Sequence, residues 1–314
     1  MTATDETPAA ENTPAAAARD DGHAAPSAAS VLAGRLCVLA AAVLWSSSGL
    51  FAKAPIFDDW PLEHRGLLLA FWRATFAGLL LIPAVRRPKW DLKLIPLCIA
   101  FTAMNVTYLS AMTETTAANA IWLQSTAPWW VFLVGVLLLR EPFARSERFP
   151  LAIGGVGLAV ILWYQTRGAD RDGVLLGLVS GFSYAGVVMS LRALRQHDAV
   201  WLVVVCHLAA AAALSPYVGY VGIWPNSWQL VVLACFGLFQ MALPYVLFAR
   251  GLRAITSQEA TGIGLLEPIL LPLWVFLVWG EEPAVSTLVG GALILAGLAM
   301  RYLAPLWRKS QAEF

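Results

Sequence analysis

The sequence predicts an all-α integral membrane protein with ten transmembrane helices arranged as two inverted five-helix repeats. Three observations carry that expectation. Of the 314 residues, 59% are hydrophobic and only 13% charged; a soluble domain needs about 25% charged residues to cover its surface. The apolar residues gather into ten runs, each long enough to cross ~30 Å of hydrocarbon as a helix rising 1.5 Å per residue. Features of the first five runs then recur in the last five. A β-barrel is excluded, because its strands are shorter and alternate polar with apolar residues.

Residues 2–30 contain no Leu, Ile, Val, Phe, Trp or Tyr, so residues 1–33 read as a disordered cytoplasmic tail. The tail has no apolar core of a signal peptide. The runs that follow are α1 (36–56), α2 (66–85), α3 (94–113), α4 (118–139) and α5 (149–165), which fill a first repeat at 34–165. A second repeat at 173–304 holds α6 (173–191), α7 (199–222), α8 (227–249), α9 (260–279) and α10 (284–303), and 305–314 form a second tail. Short turns such as Arg86-Arg87-Pro88-Lys89, Arg140-Glu141-Pro142 and Arg167-Gly168-Ala169-Asp170 separate the runs.

Lys and Arg set the orientation. With the N-terminus inside, 16 of the 21 basic residues fall on the cytoplasmic side, 4 outside (Lys53, Arg65, Arg167, Arg171), and Arg73 lies within α2. That asymmetry is a strong positive-inside signal and predicts two cytoplasmic termini in an inner (plasma) membrane. The net charge of +1 gives no field for nucleic acid. Cys37, Cys98, Cys206 and Cys235 lie in apolar runs without a CxxC pair, so neither a metal nor a disulfide is expected.

The repeat is read from matched features. Trp45-Ser46-Ser47-Ser48-Gly49 in α1 corresponds to Phe182-Ser183-Tyr184-Ala185-Gly186 in α6. Pro128 precedes Glu141 by the same interval as Pro268 precedes Glu281, and Gly154-Gly155 matches Gly290-Gly291. A competing register pairs Pro128 with Pro272 and aligns two WVFLV runs, at the expense of a gap inside a helix. Five helices per repeat is an odd number, so the halves insert in opposite directions. Inverted repeats of this kind mark secondary transporters with a midplane site.

On these residues the chain resembles the EamA family of the drug/metabolite transporter superfamily. The likeness rests on Trp45-Ser46, Phe71-Trp72-Arg73, Tyr108-Leu109-Ser110-Ala111, the Pro128–Glu141 span, Phe248-Ala249-Arg250-Gly251-Leu252, and the span from Leu266-Glu267-Pro268 to Gly280-Glu281. It covers about residues 34–304. It implies transport of small metabolites, often export of amino acids or related compounds. The polar stretch Met104-Asn105-Val106-Thr107 and the Trp-rich α4 depart from the family pattern.

Lys53 and Arg301 lie near segment ends and can snorkel to water. Deeper in the runs the ionisable residues are Arg73, His207 and Glu267. Burying such a charge at the bilayer centre costs about 2.5–3.5 kcal/mol, which makes each a functional candidate. Glu267, beside Pro268, could hold a substrate amine or a proton; a shared folding or gating role is the rival reading. Arg73 reads more readily as a structural anchor, pairing with Glu114 or a helix end, than as a carboxylate binder. His207 reads as a packing residue. Asn105 and Tyr108 share a face of α3, Trp122, Ser125 and Trp129 share one of α4, and Gln240 and Tyr245 flank Pro244 in α8. Tyr184 matches Ser47 in the repeat. Buried amides in lipid need partners, so these residues are expected to line a pathway with Trp45 and Ser46; the plainer reading is interhelical hydrogen bonding.

Gly173, Gly177 and Gly181 suit close helix packing, and Gly154-Gly155-Val156-Gly157 is no nucleotide loop; no cofactor is expected. The histidines are scattered and no HExxH or GxSxG occurs, which argues against an enzyme. No filter-like loop or charged ring suggests a channel. The leading expectation is a carrier that exports an amino acid or related small molecule by alternating access, with α1, α3, α4, α6, α8 and α9 around the cavity. Uptake or drug efflux is the alternative. The outer helices α5 and α10 would carry the pairing surface of any homodimer.

Overall fold

A computed structural model describes residues 28–137, 145–168 and 170–303. The turn Arg140-Glu141-Pro142 and most of both tails lie outside the described residues. Among these residues nine helices are long and apolar enough to cross a membrane. The tenth, α4, is described as two pieces, Ala117–Gln124 and Ala127–Leu137. The unbroken helices are α2 (Leu62–Leu81), α3 (Leu94–Glu114), α5 (Arg145–Gln165), α6 (Arg171–Ala193), α7 (Ala199–Val221) and α10 (Val285–Tyr302).

Four helices are interrupted, and the interruptions carry most of the chemistry. The first, α1, runs Ala28–Trp45, breaks at Ser46-Ser47, and resumes at Ser48–Ala52. It starts at Ala28, ahead of the expected 36, because Ala28, Ala29 and Ala33 favour helix. Like α4, α9 comes in two pieces, Ser257–Gly264 and Glu267–Trp279. Finally, α8 runs Ser227–Cys235, widens into a π-helical stretch at Phe236–Ala242, and continues as Leu243–Gly251.

The breaks decide the repeat register. Each piece of α9 starts 140 residues after its counterpart in α4. Their capping threonines match too: Thr116 accepts from the Asn119 amide and Thr256 from the Glu259 amide. This is the register that pairs Pro128 with Pro268; the alternative through Pro272 would put the α9 break one turn out of step. The packing has the same symmetry. α1 lies on α8 as α6 lies on α3, while α2 meets α7 and α5 meets α10. In that last pair the backbones nearly touch: a Cβ on Gly290 would sit 2.7 Å from the Gly157 carbonyl oxygen and 2.5 Å from Ile161.

The two ends of the bundle differ. Where α1 and α9 finish, Lys53 Nζ pairs with Glu281 at 2.7 Å and also donates to the Thr115 carbonyl. Glu281 accepts the Ala117 amide at 2.6 Å, one of the donors that a helix start leaves unpaired. Gly280, at φ 69°, makes the left-handed turn that brings Glu281 back over the bundle. At the opposite end a cavity opens among Arg86, Arg87, Asp198 and Arg250.

Candidate functional site

The interruptions of α1, α8 and α9 converge on one buried polar cluster, built around Arg73. Among the described residues Arg73 is the largest fully buried side chain, 1% exposed. Its Nη1 donates to Gln240 Oε1 at 3.1 Å and its Nη2 to Asn105 Oδ1. The guanidinium lies 5.2 Å from the Phe236 ring centre, within cation–π range. Asn105 in turn donates from Nδ2 to the Ala70 carbonyl at 3.1 Å. Gln240, aimed from the π-helical stretch, gives its Nε2 to the Trp45 carbonyl at 3.5 Å, a group freed by the break in α1. A buried charge is tolerable only when paired or hydrogen-bonded, and neutral amides serve that purpose here.

Arg73 therefore does not pair with Glu114, as one sequence-based alternative held. Asn105 lies nine positions before Glu114 on α3, about 13 Å along a helix, and that is the level Arg73 reaches.

Glu267 stands at the start of the second piece of α9, where a helix N-terminus favours a carboxylate. It is half-buried and has no hydrogen-bond or ion-pair partner among the described residues. It lies within electrostatic reach of Arg73, Tyr108, Tyr184 and Tyr245. An aromatic wall stands beside it: Trp45 is 5.3 Å from Tyr245 and 5.2 Å from Phe248, ring centre to ring centre. Tyr184 is 40% exposed.

The remaining expected residues have structural partners. Tyr108 and Ser48 share a hydrogen bond of 3.0 Å. Ser46 receives Trp274 Nε1 at 3.0 Å while donating to the Val43 carbonyl. Ser125 donates to the Ile121 carbonyl at the break in α4. Trp122 Nε1 donates to the Pro268 carbonyl at 2.8 Å. That carbonyl would take the amide of residue 272 in a regular helix, but Pro272 has none, so Trp122 supplies the donor. His207 bonds the Val203 carbonyl through Nδ1 and packs 4.7 Å from Phe101, while its buried Nε2 has no hydrogen-bond partner among the described residues.

The sequence reading did not place Ser48, Phe236, Phe248 or Trp274 in the site, nor pair Lys53 with Glu281, although all but Phe236 fall in motifs or segment ends that it quoted. Only Trp122's partner carried a legible signal, the prolines four apart at Pro268 and Pro272.

The sequence profile of the EamA-like transporter family matches residues 32–163 and again 171–303. This chain belongs to that family. EamA-like transporters belong to the drug/metabolite transporter superfamily and are transporters rather than enzymes. An uncharacterized transporter of Archaeoglobus fulgidus is 30% identical over 276 residues, spanning 86% of this chain and 96% of the relative. The uncharacterized transporter YwfM of Bacillus subtilis is 27% identical over 297 residues, 88% of this chain and 95% of its own. The pseudopaline exporter CntI of Pseudomonas aeruginosa is 23% identical over 239 residues, 72% of this chain and 82% of its own. A solved crystal structure superposes with a TM-score of 0.60 over 88% of this chain and 98% of the other, at 18% identity; at that identity the likeness shows the fold alone. The EamA-like chain is thus a multi-pass membrane transporter of a small solute, with two five-helix repeats.

Proposed function

We propose that this transporter exports an amino acid or a related amine-bearing metabolite across the inner membrane by alternating access, with both termini in the cytoplasm. The observation that carries the reading is Glu267: a half-buried carboxylate at a helix break, without a protein partner among the described residues and beside an aromatic wall. A substrate ammonium would supply the missing counter-charge, and Trp45, Tyr184 and Tyr245 would receive the rest of the molecule. Arg73, Asn105 and Gln240 would hold the floor of the site, while Trp122 and Ser125 brace the breaks of α4 and α9.

The cavity at the basic end, which the positive-inside bias assigns to the cytoplasm, and the Lys53–Glu281 pair at the other end fit the inward-facing state of such a cycle, the state from which an exporter loads its solute. Inverted repeats that rock about a central site are the general means of alternating access. The aromatic wall would also suit a lipophilic cation, so drug efflux is the second reading.

The test is counterflow in proteoliposomes, offering labelled amino acids one at a time, with Glu267→Gln alongside. Saturable exchange of one amino acid, lost in the folded variant, is the expected result. Exchange unchanged in Glu267→Gln removes the carboxylate from the pathway. Exchange of cationic drugs and no amino acid replaces the leading reading with the second.

A further inference from the structure

The cavity at the basic end has a volume of about 1010 Å³ and a charge pattern that the central site does not explain. Arg86, Arg87 and Lys89 reach it from the α2–α3 connection, and Arg250 and Arg253 from the end of α8 and the turn after it. Among the described residues Asp198 is the one acidic residue lining it, and both its oxygens accept backbone amides. Oδ1 accepts the amides of Val200 (2.9 Å) and Trp201 (3.4 Å). Oδ2 accepts those of Arg86 and Arg87, each at 3.2 Å. None of the five cationic side chains has a hydrogen-bond or ion-pair partner among the described residues. His197 also lines the cavity; its side chain is 8% exposed, with Asp91 3.8 Å from Nε2. Neither of its ring nitrogens has a hydrogen-bond partner.

The positive-inside bias accounts for cations at this end of the bundle. It does not account for five of them converging on a single cavity. Arg35, at the same end, shows the ordinary arrangement, an ion pair with Glu259 at 2.5 Å. Like charges gathered around a cleft repel one another and focus a positive potential into it, and a bound anion relieves both effects.

We propose that this vestibule is an oxyanion site, taking a carboxylate or phosphate group between the α2–α3 connection and the end of α8. Arginine forks recognise both groups in two-point fashion. The cavity reaches Val246, the chain neighbour of Tyr245, so an anion held here stands at the threshold of the central cluster. The site does not depend on which solute is carried. A soluble anion and the phosphate of a lipid headgroup share this chemistry.

The experiment uses the full chain purified in a neutral detergent at constant ionic strength, followed by thermal unfolding and tryptophan fluorescence. Trp201 donates to the Lys89 carbonyl and packs 5.0 Å from Trp90, which places an indole reporter beside the rim. One arm titrates inorganic phosphate against chloride; the other titrates short-chain phosphatidylglycerol against phosphatidylcholine. A saturable response to phosphate or to phosphatidylglycerol, absent with its control, supports the site and names the source. The paired substitution Arg250→Gln/Arg253→Gln should weaken it by about tenfold or more. Arg192→Gln/Arg195→Gln, at the same end but outside the cavity, should leave it unchanged. No saturable response beyond the controls overturns the proposal, as does equal weakening by both pairs, which would reduce the effect to net charge.

Discussion

Replacing Asn105 with Ala tests whether the centre of this bundle is organised by one buried charge. The guanidinium of Arg73 has two side-chain acceptors, Asn105 and Gln240, and its Nε is already unpaired. Losing Asn105 leaves one acceptor for a side chain that is 1% exposed. Hydrogen bonds to charged groups contribute about 1.5–3 kcal/mol, whereas neutral interhelical bonds in membranes average only ~0.6 kcal/mol. Asn105→Ala should therefore destabilise the protein by about 2 kcal/mol. In an Arg73→Met background, where no charge is left to satisfy, the same change should cost no more than ~0.6 kcal/mol. The coupling energy of the cycle isolates the pair, read from unfolding in mixed micelles followed by far-ultraviolet circular dichroism. A coupling at or below ~0.6 kcal/mol would refute the argument that Asn105 serves Arg73 and leave it an ordinary polar contact.

Three further outcomes are expected. Trp122→Phe orphans the Pro268 carbonyl and should cost about 1–3 kcal/mol; adding Pro272→Ala returns a backbone donor and should recover much of it in the same unfolding assay. Gly290→Val forces a methyl against Ile161 and the Gly157 carbonyl and should lower stability by at least about 1–3 kcal/mol, whereas Gly155→Val, which meets open space, should leave the thermal midpoint nearly unchanged. Partial burial opposes ionisation of Asp198, but the amides of Val200, Arg86, Trp201 and Arg87 together hold its carboxyl below the usual range. The lowered value means its stabilisation is present above the unfolded-state value of about 3.9 and is lost as pH falls through the folded one. Asp198→Ala should cost about 0.5–2 kcal/mol at neutral pH as a lost helix cap and flatten that acid limb in a pH series of unfolding midpoints.

Ten spans and their repeat are legible in the sequence because apolar length is a local property, and Pro128 and Pro268 announce the breaks beside them. The break at Ser46-Ser47 has no such marker. Its partners are tertiary: Gln240 donates to the Trp45 carbonyl that the break frees, and Tyr108 and Trp274 hold the hydroxyls of Ser48 and Ser46 beside it. Residue type alone selected Arg73, Asn105 and Gln240, but the triangle they form depends on how α2, α3 and α8 sit side by side. For that reason Glu114 was an equally good partner on paper. The vestibule is scattered over three connections that share no motif. Charge at the ends of runs is visible in sequence, and its convergence is not.

The π-helical stretch at Phe236–Ala242 has a consequence for how such a transporter can change. A π-helical turn holds one residue more than an α-helical turn, so it takes up a single inserted residue locally and leaves the helix on either side in phase. Deleting one residue there would return α8 to regular winding with Tyr245, Phe248 and Arg250 still on their present faces, while the side chains inside the stretch, Gln240 among them, would be re-aimed. A change of chain length, which elsewhere in a transmembrane helix rotates everything beyond it by about 100° per residue, is confined at this position to the turn that faces Arg73.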